Sequence, residues 1–503
     1  MRRIGIVDIG SNSMRLSVIE THSDASHHVV DEHKATPRLA GQLRGADGTL
    51  SDEGAAELVQ HLREFLDLCS AYGVAETLVV GTAALRAAAN RDQVLAAVEA
   101  ATGVRVEVIS GEEEAWLDYQ AVRHTLAVDT AYLVDIGGGS TEISLIADGR
   151  RVRSHSLAFG AVTVAERWRD GVALEQNLRL PQGPEAALGS LDFLLEHPHA
   201  EAVGIGGTVR NLARLHQIER GYPLPLTHNY TIPVDDVESM LRRLADTPMP
   251  RRRKLAGLAR ERADVIVPGG AILLAVMRRT RAGRLRVSGR GLRDGLFYAR
   301  VQGDTGEGPL PIVEASVRNV LARFSTPVAH AEQVTGLATS LFDTAVRHGL
   351  LTAGTRDVQY TAAMLHRAGV YVNYYGYHQH TFYLVLSSQI YGLSHREVVV
   401  AALAASFKGR SAMRRLAVPV KSLLAETDYV QAARMGVIVR LAEALDRRHE
   451  GRVESLSARW GSDALELRLC LAREAGVEIE AARALAPHVQ KNFGRELRVT
   501  VAD

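Results

Sequence analysis

Cysteines, aromatic residues and long apolar runs are all scarce in this sequence of 503 residues. The two cysteines, Cys69 and Cys470, have no metal-type spacing, which argues against a disulfide scaffold and is typical of a reduced, cytoplasmic protein. No uncharged apolar stretch approaches the ~20 residues that a membrane span needs. Asp8 interrupts the first apolar run too early for a signal peptide. We therefore expect neither a disulfide-rich secreted domain nor a membrane protein.

The length and the charge pattern indicate how many domains the chain forms and which ligands it attracts. The chain is too long for one core, and a composition of 46% apolar and 23% charged residues predicts several ordinary globular domains. The net charge of +1 conceals an asymmetry, because residues 251–300 contain 14 Arg or Lys against 3 Asp or Glu. Such a cluster attracts polyanions. A solvated, arginine-rich face is the alternative interpretation.

One segment of twelve residues occurs twice, 127 positions apart. The first copy, from Asp8, reads Asp-Ile-Gly-Ser-Asn-Ser-Met-Arg-Leu-Ser-Val-Ile, and the second, from Asp135, reads Asp-Ile-Gly-Gly-Gly-Ser-Thr-Glu-Ile-Ser-Leu-Ile. Each copy follows a short apolar run and therefore predicts a strand, a glycine-rich turn and a second strand. Arg15 and Glu142 occupy the same position of the repeat, so they should lie on the same face of the second strand.

The turns of the repeat have the composition of a phosphate site. Glycine and small hydroxyl residues let consecutive backbone N–H groups point into one concavity. Asp8 and Asp135 end the first strand of each copy, and a carboxylate there would repel phosphate, so we expect both to hold a cation or its water. Two such hairpins facing each other would form a phosphate clamp with carboxylates at its base. The turn residues are Ser11, Asn12, Ser13, Gly137, Gly138, Gly139 and Ser140.

Hydrophobic periodicity predicts alternating helices and strands around this repeat. Helices are expected over residues 52–72, 91–102 and 110–122, and strands over 77–80 and 104–109. Ser110 should cap the third helix, with Glu113 in capping-box position. The stretch 204–213 indicates a strand that runs into a helix, with Gly206, Gly207 and Thr208 at the junction.

The rest of the chain has a different pattern. Residues 302–311 are polar and rich in Gly and Pro, which predicts a linker. From residue 312 to about 450 the periodicity is helical throughout. The last ~50 residues alternate again around a helix, which predicts a small α/β appendage.

Five motifs occur in an order and spacing similar to those of the exopolyphosphatase/guanosine-pentaphosphate phosphatase (Ppx/GppA) family, within the actin/hexokinase/Hsp70-like superfamily. They are the two copies of the repeat, Gly81-Thr-Ala-Ala-Leu-Arg86, Ile109-Ser-Gly-Glu-Glu-Glu-Ala115 and Val267-Pro-Gly-Gly270. The resemblance implies an α/β fold with two duplicated RNase H-like (actin-like ATPase) domains, over residues 1–125 and 126–303. An all-helical HD-like domain over 312–450 and the small C-terminal α/β domain over 451–503 would follow.

The resemblance also implies a site chemistry. Ppx/GppA enzymes hydrolyse terminal phosphoanhydrides in a cleft between the two domains with Mg²⁺, for which Mn²⁺ is a substitute. By motif position the catalytic residues match Glu113 and Glu142, whereas Glu112 and Glu114 are expected to face solvent. Helix capping is the alternative role of Glu113. The expected metal ligands are Asp8, Asp135 and Glu142, and the expected phosphate and substrate ligands are the turn residues named above with Arg15, Arg86, Gly206, Gly207, Thr208 and Arg262.

The helical region resembles the HD-type metal phosphohydrolase fold. Its candidate ligands are His330, His366, His378, His380 and Asp446. His366 is followed by Arg367 where a His-Asp pair would be required, and an arginine cannot ligate a metal. We therefore expect a degenerate domain without HD-type chemistry. Its basic, tyrosine-rich stretch 371–380 would then line a channel for long phosphate chains, or simply pack as ordinary helices.

The leading functional interpretation is an exopolyphosphatase that releases terminal orthophosphate from inorganic polyphosphate. The alternative is a guanosine-pentaphosphate 5′-phosphatase of the stringent response, which would use the same cleft and could also bind guanosine tetraphosphate. A non-catalytic nucleotide sensor or filament-forming actin relative is disfavoured by the intact Glu113 and Glu142, and a sugar kinase lacks a sugar-binding signature. We expect a cytoplasmic homodimer with no membrane partner and no specific nucleic acid.

Overall fold

The computed structural model describes residues 1–23, 26–44, 48–168, 172–302, 311–324 and 328–502. The chain divides into two compact units, residues 1–309 and 310–503. Most of the linker predicted over residues 302–311 lies outside the described residues. Within the described ranges, no helix is both long and apolar enough to cross a membrane.

The first lobe of the first unit is built on a five-stranded sheet in the order β3-β2-β1-β6-β7. Strand β2 is antiparallel to both β1 and β3, whereas β6 and β7 continue the sheet in parallel with β1. The strands are β1 (Arg2–Ile9), β2 (Met14–Thr21), β3 (His27–Ala35), the short pair β4 (Leu43–Arg44) and β5 (Thr49–Leu50), β6 (Glu76–Gly81) and β7 (Glu107–Val108). The helices are α1 (Asp52–Ala71), α2 (Ala83–Ala87), α3 (Arg91–Thr102) and α4 (Gly111–Arg123).

The second lobe repeats this arrangement in a six-stranded sheet of order β10-β9-β8-β11-β13-β12. Its strands are β8 (Ala131–Ile136), β9 (Thr141–Ala147), β10 (Arg150–Leu157), β11 (Glu201–Ile205), β12 (Thr231–Pro233) and β13 (Arg284–Val287). Its helices are α5 (Ala161–Ala165), α6 (Leu174–Leu178), α7 (Pro184–Leu188), α8 (Gly206–Glu219), α9 (Val234–Asp246), α10 (Met249–Arg252), α11 (Ile266–Thr280) and α12 (Leu292–Leu296), which continues as a π-helix over Phe297–Gln302.

The two sheets share one topology. The central strand of each, β1 or β8, has an antiparallel hairpin partner on one side and a parallel strand on the other. The second sheet differs only by the antiparallel edge strand β12. The duplication that the sequence repeat predicts therefore extends over both whole sheets, and the mixed α/β architecture is confirmed.

Most predicted elements of the first lobe are present within a residue or two. Ser51 caps α1 and Ser110 caps α4, each accepting a hydrogen bond of 3.1 Å from the backbone N–H three residues on. The strand predicted over residues 104–109 is wrong in length, because only Glu107 and Val108 pair with β6. A strand at the edge of a sheet has one partner only, and this one separates from it after two residues.

Helix α4 lies between the two sheets and packs against both. On one side Leu117 joins an apolar cluster with Ile4 and Ile6 of β1 and with Leu296 of α12. On the other, residues such as Val122 pack against strands of the second sheet. Helix α12 follows the second lobe in sequence but covers the first sheet, so the chain crosses back between lobes. The domain division at residues 125 and 126 stays a prediction.

The second unit is mainly helical and ends in a small sheet. Its helices are α13 (Ile312–Arg323), α14 (Val328–Arg347), α15 (Arg356–Leu365), α16 (Tyr377–Ser387), α17 (His395–Ala405), α18 (Arg410–Ala417), α19 (Glu426–Ala444), α20 (Gly476–Arg483) and α21 (Ala486–Phe493). Strands β14 (Val453–Trp460), β15 (Ala464–Leu471) and β16 (Glu496–Val501) form one three-stranded sheet. Trp460 donates to Thr344 Oγ1 of α14 at 3.2 Å. The sheet thus packs on the helices within one compact unit, and a boundary at residue 450 stays a prediction.

The crossing of α12 over α4 gives a stability prediction. A Cβ at Gly295 would lie 1.8 Å from the carbonyl oxygen of Leu117, which side-chain rearrangement cannot relieve. We expect Gly295→Ala to lower the free energy of unfolding by about 1–3 kcal/mol, as overpacking does. Thermal unfolding followed by circular dichroism measures the loss. Gly283→Ala is the matched control, because no atom lies within 4 Å of its added Cβ. Equal melting temperatures of both variants would contradict this account.

Candidate active site

The two glycine-rich turns of the repeat lie against each other. Each turn is closed by one backbone hydrogen bond, from Gly10 N to Ser13 O at 3.2 Å and from Gly137 N to Ser140 O at 3.0 Å. A Cβ at Gly138 would lie 3.0 Å from Cβ of Ser11, and one at Gly139 only 2.8 Å from its Oγ. The facing hairpins predicted from the repeat are therefore present. Glycine in the second turn is what allows the close approach.

The repeat places a carboxylate and its cross-strand neighbour at the base of each turn. Asp8 pairs in register with Arg15, and Asp135 pairs with Glu142. Directly opposite residues of an antiparallel pair point to the same face, so Asp135 and Glu142 share one pocket. Burial raises the pKa of Asp8 to about 6, although Arg293 and Arg15 oppose the shift.

Glu142 is 2% exposed and only partly compensated by hydrogen bonds. Its Oε1 accepts from Ser156 Oγ at 2.8 Å, whereas its Oε2 has no hydrogen-bond partner among the described residues. Burial first, and then the charge of Asp135, raises the pKa of Glu142 to about 7. Such a group gains strongly from a cation that neutralises it.

Glu114, which was expected to face solvent, is the residue of the Glu-Glu-Glu run that reaches this pocket. It is 7% exposed, and its Oε2 accepts from Arg86 Nη1 at 3.0 Å. Burial, followed by the charge of Glu142, raises its pKa well above the usual value. The expectation that Glu114 is solvated is wrong, because α4 is covered on both sides and this position faces the second sheet.

Glu113 points elsewhere. Its backbone N–H is held by Ser110, and its carboxylate pairs with Arg300 at 2.5 Å. Successive residues of a helix differ in direction by about 100°, so Glu113 and Glu114 cannot share one pocket. Glu114 rather than Glu113 therefore enters the pocket, and the catalytic role predicted for Glu113 stays a prediction. The capping box is also incomplete, since the Glu113 carboxylate does not return to the cap. Glu112 is exposed, as expected.

Asp118 lies one helical turn beyond Glu114 and is 1% exposed. Its two carboxylate oxygens have no hydrogen-bond partner among the described residues. Burial, then the charges of Asp135, Glu114 and Glu142, raises the pKa of Asp118 well above its usual value. Sequence reasoning missed Asp118. The sequence feature that pointed to Asp118 is its spacing of four residues from Glu114, on a helix that also carries the apolar Leu117 and Ala121.

Four guanidinium groups converge near these carboxylates. Burial first, and then the charges of Arg15, Arg293 and Arg262, lowers the pKa of Arg210 to about 10. Such mutual repulsion is relieved when an anion binds among the four groups. Arg15 and Arg262 were predicted from sequence, whereas Arg210 and Arg293 were missed. Arg293 is oriented by Ser17 Oγ, to which its Nη1 donates at 2.6 Å.

The Gly206-Gly207-Thr208 junction packs against the carboxylate of Asp135 and the guanidinium of Arg262. Gly206 has a positive φ of 91°, and a Cβ there would lie 2.7 Å from Asp135 Oδ1. A Cβ at Gly207 would overlap the Arg262 guanidinium, at 2.0 Å from Cζ. Both glycines are therefore required by close approach and by backbone conformation. Thr208 is fully buried, and its Oγ1 has no hydrogen-bond partner within the described ranges.

The donor set fits a hard divalent cation. Asp8, Asp135 and Glu142 supply carboxylate oxygens, which Mg²⁺ and Mn²⁺ prefer. The buried, unpaired Oε2 of Glu142 is the kind of atom that a cation would satisfy. Buried hydroxyl and amide atoms of the first turn, Ser11 Oγ and Asn12 Nδ2, also lack partners among the described residues.

Comparison with known proteins identifies this architecture. The family model of the Ppx/GppA phosphatases matches residues 18–303, and the model of their domain III matches residues 312–482. The chain belongs to the Ppx/GppA phosphatase family. It is accordingly a phosphoanhydride-hydrolysing enzyme, as the sequence motifs predicted.

Solved structures of Ppx/GppA proteins share the fold of the first unit. An exopolyphosphatase from Cytophaga hutchinsonii is 21% identical, covers 60% of this chain with 100% of its own, and superimposes with a TM-score of 0.56. The Aquifex aeolicus PPX-GPPA enzyme is 28% identical over 59% of this chain and 99% of its own, with a TM-score of 0.51.

Arg86, predicted as a phosphate ligand, contacts the acidic side chains of the pocket. Besides Glu114, its guanidinium contacts the carbonyl oxygen of Ile109 at 2.8 Å and Glu142 Oε1 at 3.8 Å. These contacts make Arg86 the cation that holds the two glutamates in one pocket.

The basic segment 251–300 does not form one continuous surface of free arginines, contrary to the polyanion-track expectation. Arg252 is 4% exposed, and its guanidinium donates to the carbonyl oxygens of Ala263 and Thr247 at 3.2 and 3.1 Å. Arg278 pairs with Glu175, and Arg286 with Glu201. Half of the fourteen basic residues of this segment form ion pairs with acidic side chains.

Two adjoining cavities extend from the phosphate turns towards the remaining arginines. The first, of about 330 Å³, is lined by Ser11, Asn12, Arg38, Asp264 and Trp168 among others. The second, of about 320 Å³, shares Arg38 and Asp264 and is further lined by Arg253, Arg260 and Glu261. Part of the basic segment therefore does lie beside the cleft.

The helical unit brings together three of its five candidate metal ligands. His330 Nδ1 lies 2.7 Å from Asp446 Oδ2, and the His366 ring is 5.4 Å from that of His330. Arg367 donates to Glu443 Oε1 at 3.1 Å, so an ion pair stands beside these histidines. His378 instead stacks on Tyr377 at 4.1 Å, and His380 is half-buried on the same helix. The absence of HD-type chemistry stays a prediction.

Buried His366 predicts that the helical unit is sensitive to acid. Burial lowers its pKa from 6.5 to about 4; the charge of Glu443 opposes the shift, and those of His330 and Arg367 add to it. The unfolded chain binds the proton first, so the stability contributed by the neutral imidazole is lost as pH falls from 6.5 to about 4. The full effect is about 3 kcal/mol, from about 1.4 kcal/mol per pKa unit.

Urea unfolding at pH 7 and pH 4 measures this loss. His366→Asn keeps a side-chain N–H for the 2.6 Å bond that Nδ1 makes to Ala363 O but cannot titrate. We expect its unfolding midpoint to fall less on acidification than that of the wild type. His380→Asn, on a neighbouring helix, is the control and should keep the wild-type acid sensitivity. Parallel pH profiles of wild type and His366→Asn would contradict the prediction.

Proposed function

We propose that this Ppx/GppA phosphatase is an exopolyphosphatase that hydrolyses the terminal phosphoanhydride of inorganic polyphosphate. The observation that carries the proposal is the meeting of two charged groups at the paired turns. Buried carboxylates lie there together with four mutually repelling guanidiniums. A terminal phosphoryl group between them would neutralise the arginines, and a divalent cation would neutralise the carboxylates.

Different residues of the chain bind the phosphate oxygens and the divalent cation. The backbone N–H groups of the turns and the guanidiniums of Arg15, Arg210 and Arg262 bind and orient phosphate oxygens. A Mg²⁺ ion held by Asp8, Asp135 and Glu142 would supply charge neutralisation of the phosphoryl group when bound.

Glu114 is the proposed general base. A water oxygen bonds to the terminal phosphorus, the bridging P–O bond breaks, and the proton of the water passes to Glu114 and then to solvent. Its raised pKa makes its carboxylate a stronger base than an ordinary glutamate. Arg86 positions Glu114 through the 3.0 Å contact. The products are orthophosphate and a chain one residue shorter.

The adjoining cavities favour a substrate longer than one phosphoryl group. They lead from Ser11 and Asn12 past Arg38 to Arg253 and Arg260, so a polyanion can continue beyond the turns. The alternative substrate, guanosine pentaphosphate, is supported by the apolar part of the same wall, where Trp168, Val162 and Met249 could contact a base. The homodimer and the cytoplasmic location stay predictions.

Exchanging a carboxylate for an amide at neighbouring positions tests the assignment of the base. Glu114→Gln should lower the rate of phosphate release by roughly 10²-fold or more, because an amide cannot accept the proton of the water. Glu113→Gln, the matched control one residue away, should keep most of the activity, since its partner Arg300 lies outside the pocket. Phosphate release with Mg²⁺ and tripolyphosphate measures both. A stronger loss in Glu113→Gln than in Glu114→Gln would reverse the assignment.

Variants in the wall of the two cavities separate the two substrates. Arg253→Ala with Arg260→Ala should raise the KM for long polyphosphate several-fold and leave turnover of tripolyphosphate unchanged, because a short chain occupies only the turns. Arg251→Ala is the control, as Arg251 is exposed but not among the residues lining the second cavity. Trp168→Ala should matter only if a base binds there.

A salt series strengthens the same comparison. Binding that releases counterions weakens steeply with salt, so the KM for long chains should rise faster than that for tripolyphosphate. If the arginine variant leaves long-chain KM unchanged while Trp168→Ala raises the KM for guanosine pentaphosphate, the nucleotide is the substrate. Activity that persists in excess chelator would remove the divalent cation from the mechanism.

A further inference from the structure

We propose that Glu20, His22 and His28 form a second metal site, which binds a transition-metal ion such as Zn²⁺ at the hairpin of β2 and β3. No step of phosphate hydrolysis uses these residues. Their side chains are partly exposed, and one ligand atom of each lies within 4.8 Å of the others. Within the described residues, this is the only such group of three or more histidine, cysteine or acidic side chains.

The sheet register explains why the three side chains meet. Glu20 of β2 stands directly opposite His28 of β3, so both side chains point to one face with their Cβ atoms about 5 Å apart. His22 follows Glu20 by two positions, which returns it to the same face. A hydrogen bond of 2.9 Å from His22 N to Ser26 O closes the turn and fixes this position.

The distances suit one ion after small adjustments. His22 Nε2 lies 3.8 Å from Glu20 Oε1, and the rings of His22 and His28 are stacked with centroids 5.9 Å apart. Ligands about 2.0–2.1 Å from a tetrahedral Zn²⁺ stand about 3.3 Å from one another. Rotations of partly exposed side chains therefore bring the donors to bonding distance, and a water can take the fourth position.

A hydrogen bond from Arg3 orients the Glu20 carboxylate towards the histidine. Arg3 Nε donates to Glu20 Oε2 at 2.8 Å and its Nη1 to Tyr72 O at 2.9 Å, which leaves Oε1 facing the histidine. His22 Nε2 is buried and has no hydrogen-bond partner among the described residues. Two imidazoles and one carboxylate form a donor set that Zn²⁺ accepts and Mg²⁺ does not prefer. The positive charge of Arg3 opposes the ion, so we expect micromolar rather than very tight affinity.

The site is separate from the phosphate cleft. Strands β1 and β2 are paired from Asp8 opposite Arg15 at the turn end to Arg2 opposite Thr21 at the far end. Six residues along a strand correspond to about 20 Å. A bound ion would thus join β2 to β3 at the end of the sheet remote from catalysis, and would stabilise the fold as any ligand of the native state does.

Zinc titration of the full-length protein tests the proposal. Isothermal calorimetry in excess Mg²⁺, which keeps the cleft carboxylates occupied, should show one class of Zn²⁺ site at one equivalent. The double variant His22→Ala, His28→Ala should lose this class, and Zn²⁺ should raise the melting temperature of the wild type but not of this variant. The double variant His33→Ala, His61→Ala removes two histidines of the same lobe that pair with Asp31 and Glu64, and should retain the site.

Two further measurements keep the result interpretable. If the double variant fails to fold by circular dichroism, Glu20→Gln, which keeps the shape of the side chain, should still weaken Zn²⁺ binding at least tenfold. Phosphate release by the variants in Mg²⁺ should equal that of the wild type, so the outcome is independent of the proposed phosphatase chemistry. Unchanged Zn²⁺ affinity and stoichiometry in both sets of variants, or no binding by the wild type, would overturn the site.

Discussion

The first unit depends on placing like charges together where water is largely excluded. Burial raises the pKa values of Glu114, Asp118 and Glu142, and Glu114 and Glu142 both contact Arg86. The guanidiniums around Arg210 repel one another in the same region. Under the proposed function, a cation would balance the carboxylates and a phosphate would balance the guanidiniums. The binding energy of both is available because folding has already assembled the charges.

Helix α4 connects this electrostatic arrangement to the fold. Its apolar positions pack on both sheets, so the acids between them, Glu114 and Asp118, enter the cleft at fixed positions. The close passage of Gly295 over Leu117 holds the other side of the helix. A change in packing at α4 would therefore displace Glu114 and Asp118 directly.

The helical unit combines buried histidines with an internal ion pair. His330 and Asp446 pair, His366 lies beside them, and Arg367 and Glu443 form an ion pair next to these side chains. Burial lowers the pKa of His366, so the stability that its neutral imidazole contributes is lost on acidification. The degenerate HD-type character of this unit stays a prediction.

The sequence by itself determined the duplication, the two phosphate turns and the acids of the repeat, because strand-turn-strand patterns and glycine requirements are local. It also indicated the family, because five motifs occur in the chain in the order found in Ppx/GppA proteins. Only the tertiary structure decided that Glu114 rather than Glu113 reaches the pocket, since both lie on one helix and the covering sheet distinguishes them. Asp118, Arg210 and Arg293 were invisible for the same reason, as their function comes from elements distant in sequence. Arg252 shows the converse: its charge suggested a polyanion surface, but burial among backbone carbonyls gave it a structural role.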